Sequence, residues 1–132
     1  MTNEKGEEKR VRAIKIMNQL ESLRQQAAIL AATHDELVLT KQTLQKLKDL
    51  EKDEKALLPV GPNFMVKVNL VDKDHVLYQV NPELVVEMKV DSAIKEIDRM
   101  VERIRNDLKR IDEISLKLRK ELETILKEIE KK

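Results

Sequence analysis

Along the first third of the chain, apolar or small side chains recur at Ala13, Ile16, Leu20, Leu23, Ala27, Leu30, Leu37 and Leu44. The steps alternate between three and four, with His34 and Lys41 on two further rungs of the same ladder. An average repeat of 3.5 residues is a heptad seam, the signature of a helix that packs lengthwise against another. The pattern predicts a helix over about 7–53, roughly 70 Å long at the usual rise per residue. Gly6 and the polar, uncapped start predict that its first turn frays.

A second ladder runs through Ile94, Ile97, Val101, Ile104, Leu108, Ile111, Ser115, Leu118, Leu122, Ile125 and Ile129, with only Ser115 interrupting an aliphatic seam. It predicts a helix over 91–131, with Asp91 as its N-cap. Neither proline nor glycine occurs in that span.

Residues 55–90 change period. Nine of the twelve valines fall there, with all three prolines and both aromatic residues. Phe64, Val66, Val68 and Leu70 alternate with other residues, as do Val76, Tyr78 and Val80, and then Leu84, Val86, Met88 and Val90. Period two with β-branched side chains predicts half-buried strands. Turn formers at 61–63, 72–74 and 81–83 divide them into four, near 56–60, 64–71, 75–80 and 84–90, joined as two hairpins.

Two helices of similar length around a compact insert predict an α+β fold: a long antiparallel two-helix coiled coil capped by two β-hairpins. If Asp53 faces Asp91, Leu44 meets Val101, Leu37 meets Leu108, Leu30 meets Ser115, Leu23 meets Leu122 and Leu20 meets Ile125. Both termini then lie at the far tip. Hairpins on the end of such a pair cannot bury both of their faces, and isolated hairpins are marginal in water. Their free edges invite strands from other chains. The expected oligomerisation residues are Leu58, Val60, Phe64, Val66, Val68, Leu70, Val76, Tyr78, Val80 and Val86.

Composition narrows the function. Charged residues make up 39% of the chain and aromatics 2%, as in long helices rather than a globule around one core. A net charge of +1 supplies no field for nucleic acid or an anionic membrane. The absence of cysteine excludes disulfides and thiolate chemistry. No segment resembles a signal peptide or a membrane span, so the expected compartment is the cytoplasm. High charge, absent cysteine and scarce glycine also suit a thermophile. The carboxylates alternate with Lys and Arg at helical spacing, which reads as a solvated face. Gly61 alone makes no phosphate loop, the two histidines fit no zinc spacing, and no nucleophile, histidine and acid converge. His34 reads as a polar marker on the seam facing Ile111, and His75 as a surface residue. No enzyme, metal or cofactor is expected.

Within residues 57–80, the run Leu58-Pro59-Val60-Gly61, then Phe64 to Leu70, the turn Asp72-Lys73-Asp74, and Val76-Leu77-Tyr78-Gln79-Val80 resembles the alpha class of prefoldin subunits. Two hairpins distinguish that class from the beta class, which has one. The turn Asn81-Pro82-Glu83 departs from the glycine-containing turn usual in the family. The resemblance implies an ATP-independent chaperone whose hairpins assemble into an intersubunit β-barrel and whose coiled-coil tips hold unfolded proteins for a group II chaperonin. It implies an archaeal source and partnership with beta-class subunits. In the gamma type, the partner is instead the chain itself, built into filaments. A coiled-coil adaptor for one folded partner is the reading from another class.

Client capture without ATP needs exposed apolar groups, since the hydrophobic effect is non-directional. Val11, Ile14 and Met17 on the first helix and Leu126 and Ile129 on the second are the expected client-binding residues. Ile29, Val38, Leu47, Met100, Ile114 and Leu116 lie off the ladder and are expected to widen the apolar stripe.

Overall fold

The computed structural model describes residues 2–51 and 54–131. Its order is α1 (Thr2–Asp49), β1 (Lys55–Gly61), β2 (Phe64–Asn69), β3 (His75–Asn81), β4 (Leu84–Lys89) and α2 (Val90–Glu130). This is the expected α+β arrangement of two long helices and two antiparallel hairpins. Two compact units divide it: Glu36–Val101, and Met1–Asp35 with Glu102–Lys132.

The first of these units holds both hairpins and the adjoining helical turns. Its core is Leu44, Val90, Ala93, Ile97 and Val101, with Leu37, Val38, Leu47, Val76, Met88 and Ile94 packed around it. Val76 and Met88 are cross-strand partners, so the base of the second hairpin rests directly on the helices. No loop separates β4 from α2: Val90 is 2% exposed, and its N–H donates to the Asp74 carbonyl at 2.8 Å. Asp91 is therefore not the N-cap but a first-turn residue of α2, where an anion still suits the helix dipole.

Helix α1 ends at Asp49, earlier than expected; Asp53, the expected end, lies outside the described residues. Lys73 Nζ, from the connection between the hairpins, donates to the Leu50 carbonyl at 3.0 Å, satisfying an acceptor just past the helix end. Helix α1 starts at Thr2, ahead of Gly6.

The register of α1 against α2 also differs from the expected one. Lys41 pairs with Asp98 at 2.7 Å, and Lys48 pairs with Asp91. The expected register would have set those lysines opposite Ile104 and Ile97. The offset is about one heptad. Because both seams repeat every seven residues, such a slip leaves most apolar rungs facing another, although Leu23 comes to lie across from Ser115. The ion pairs then choose between registers that the seam alone cannot separate. The hydrogen bond and charge of Lys48 hold Asp91 below the usual carboxylate range, and Asp91 raises Lys48 in turn. For Asp91, that contribution is fully present above the ordinary carboxylate pKa. It is lost as pH falls through the lowered value.

The other unit is helical throughout. Its core is Ala13, Ile16 and Ile125, with Leu20, Leu118, Leu122 and Ile129 packed against it, and Ile16 is wholly buried. Arg12 grips Glu121 through Nε at 3.0 Å and Nη2 at 3.2 Å, and Lys9 pairs with Glu128 at 3.2 Å. Beside the seam lies an open groove of about 740 Å³, lined among others by Leu20, Leu23, Ala27, Leu108, Ile111 and Ser115. Ser115 thus lies across from Leu20 to Ala27 rather than from Leu30, which is the same one-heptad shift. The small side chains of Ala27 and Ser115 leave that space unfilled.

Candidate functional site: two exposed apolar surfaces

The hairpins share one plan. β1 pairs antiparallel with β2 from Lys55 opposite Asn69 to Gly61 opposite Phe64, with a register shift between Pro59 and Gly61. β3 pairs with β4 from His75 opposite Lys89 to Asn81 opposite Leu84, with the shift between Gln79 and Asn81. A bulged valine, Val60 or Val80, precedes each turn, and a proline, Pro62 or Pro82, opens it. The turns then differ. Asn63 has φ 67, the left-handed geometry required at the third position of a type II turn and tolerated by Asn. In the second turn, Asn81 Oδ1 instead accepts the Glu83 N–H at 2.9 Å, an Asx turn that needs no positive φ.

Between the hairpins, Asp72 Oδ1 accepts the Asp74 N–H at 2.8 Å, and Asp72 Oδ2 accepts from His75 Nδ1 at 2.8 Å. The backbone bond to Asp74 first, and His75 second, hold the Asp72 carboxyl below its usual range. His75 is exposed, as expected, with its ring tied to this turn. His34 is half-buried, with Nδ1 3.2 Å from Asp35 Oδ1. Its expected partner Ile111 lines the groove beside Leu20, Leu23 and Ala27. Among the described residues, no group of His and acidic side chains is placed to hold a metal ion.

Both faces of each hairpin are largely bare. Of the expected oligomerisation residues, Leu58, Val60, Phe64, Val66, Tyr78, Val80 and Val86 are exposed, Phe64 by 71%. Val68 and Leu70 are half-buried, and Val76 is half-buried against the helices. Strand alternation singled out one face and missed the other. Leu57, Met65, Leu77 and Val85 are also exposed, Leu77 by 73%. The missed signal is a repeat: moving twenty residues on from Leu57, Val60, Pro62 and Val66 reaches Leu77, Val80, Pro82 and Val86.

A second exposed apolar set lies in the helical unit. Val11, Ile14, Met17 and Leu126 are about half exposed. The first three follow one another at i,i+3 spacing and so share a stripe of α1. Ile14, Met17 and Leu126 neighbour the core positions Ala13, Ile16 and Ile125 in turn, so the seam holds them outward. Ile129 is placed differently: it is half-buried and packs on the core. Of the residues expected to widen the stripe, Val38 and Leu47 pack against the core, and Met100 is half-buried. Ile29, Ile114 and Leu116 are exposed, as is Leu39. No described helix is long and apolar enough to cross a membrane.

The prefoldin subunit family matches residues 16–132. Prefoldin subunit alpha 1 of Methanocaldococcus jannaschii is 29% identical over 120 residues, 85% of this chain and 82% of that protein. Prefoldin subunit alpha of Pyrococcus horikoshii is 30% identical over 122 residues, 78% of this chain and 82% of that protein. The match to prefoldin subunit alpha of Methanopyrus kandleri, 31% identical over 70 residues, covers 53% of this chain and 45% of that relative. In fold, the chain is similar to filamentous PFD from Methanocaldococcus jannaschii, solved by cryo-electron microscopy. The TM-score is 0.76 at 24% identity, over 89% of this chain and 97% of that one. With a family match across most of its length and two exposed hairpins between paired helices, the chain belongs to the prefoldin family of chaperone subunits.

Proposed function

We propose that this chain is an alpha-class subunit of an ATP-independent holdase, folded as a single prefoldin-like domain. Through its hairpins it joins other subunits, either beta-class chains or further copies of itself. Non-native proteins are held on the stripe of Val11, Ile14 and Met17 and on Leu126, and pass to a group II chaperonin in the cytoplasm. One observation carries the reading. Exposed apolar side chains gather in two separate places, a strand surface with free edges and a helical stripe held by its own seam. Free strand edges select partners by backbone geometry and suit assembly. A helical stripe has no free backbone donors or acceptors, so it recognises only apolarity, and Met17 adapts to many shapes.

Suppression of aggregation tests it. Assembled protein without nucleotide should keep several unrelated denatured proteins in solution. If none is protected, while one folded partner binds tightly, the chain is an adaptor instead.

A further inference from the structure

The two hairpins repeat each other with a twenty-residue offset, pair for pair and bulge for bulge. Within that repeat, one equivalent position changes sign. Lys67 sits opposite Leu57 in the first hairpin, and Glu87 sits opposite Leu77 in the second. Both charges are exposed at mid-strand, and neither joins an ion pair among the described residues. The two hairpins form separate sheets, so within one chain the charges do not meet across a ladder.

We infer that hairpin 1 of one copy pairs edge to edge with hairpin 2 of a second copy, β2 against β4, with Lys67 opposite Glu87. β1 carries Pro59, which has no amide donor, whereas β2 has none, so β2 is the unbroken edge of its hairpin. β4 is its counterpart in the repeat. In an antiparallel register centred on the charges, Val66 and Val68 of one copy meet Met88 and Val86 of the other on the same face. Pairing hairpin 1 with hairpin 1 would oppose two lysines, and hairpin 2 with hairpin 2 two glutamates. Like charges directly opposite are destabilising, so the sign change selects against both symmetric contacts. A contact between unlike surfaces of identical chains is head-to-tail. It propagates as a filament unless its rotation closes a ring.

The inference rests on the hairpins being the assembly surface, and charge exchange separates it from that reading. K67E and E87K should each raise the concentration at which the purified chain assembles by about tenfold. Circular dichroism should match wild type, because both sites are exposed. The double variant K67E/E87K, which restores opposite signs only between hairpin 1 and hairpin 2, should assemble as wild type does. Symmetric pairing predicts instead that the single variants assemble as wild type does, because each reversal leaves like charges opposed in both symmetric contacts. Three results overturn the inference: single variants that assemble normally, a double variant that is not rescued, or a wild-type chain that stays monomeric alone. The assembly reading survives all three if V66D still abolishes whatever complex forms, with itself or with a beta-class chain.

Discussion

V66D leaves each subunit helical and removes its ability to assemble. Val66 lies opposite Leu58 and is 45% exposed in the single chain, so an aspartate there remains hydrated and disturbs little. Once a neighbouring strand covers that face, the same carboxylate is buried without a partner. The cost is several kcal/mol, enough to weaken association by about a hundredfold or more. V68D acts in the same direction, with an added effect on the subunit because Val68 is half-buried opposite Ala56. Sedimentation should show V66D as the smallest species at concentrations where wild type is fully assembled, with unchanged helical circular dichroism. Full-size oligomers of V66D would place the assembly surface elsewhere.

The converse variant should separate holding from assembly. Replacing Val11, Ile14, Met17 and Leu126 together by glutamine removes the apolar stripe and leaves Ala13, Ile16 and Ile125 beneath it. Glutamine is nearly as good a helix former as leucine or methionine, so α1 and α2 should persist. Burying half of such a side chain against a client is worth about 1 kcal/mol. Losing several of them should weaken retention of a denatured protein by about tenfold or more, with oligomer size unchanged. A variant that protects clients as well as wild type does would remove the stripe from the mechanism. Ile129 is left in place, since its packing on the seam would confound loss of holding with loss of structure.

The two kinds of periodicity made the elements legible. Heptad steps marked both helices, and alternation with prolines at the turns marked four strands to within a residue or two. The facing of the helices was not legible, and the reason is the heptad itself. Sliding α1 by seven residues keeps Leu44, Leu37 and Leu30 on apolar rungs, so the seam does not encode its own register. What fixes it is polar: the pairs Lys41–Asp98, Lys48–Asp91 and Arg12–Glu121, together with the end of α1 at Asp49. The bond from Lys73 to the Leu50 carbonyl was equally hidden, because it joins residues far apart in sequence. At the candidate site, alternation revealed Val66, Tyr78 and Val86. It assigned the opposite face to solvent, and so passed over Leu57 and Leu77 although they recur at the same place in both hairpins.

In the proposed function, labour is divided between strands that assemble and a helical stripe that holds. Photo-crosslinking in the assembled protein tests that division most directly. A photoreactive amino acid is placed at Ile14 in one preparation and at Val85 in another, and each is irradiated with a denatured, labelled client. That division predicts abundant client adducts from position 14, and from position 85 adducts chiefly to other subunits. Client adducts concentrated at position 85, with few at position 14, would contradict it.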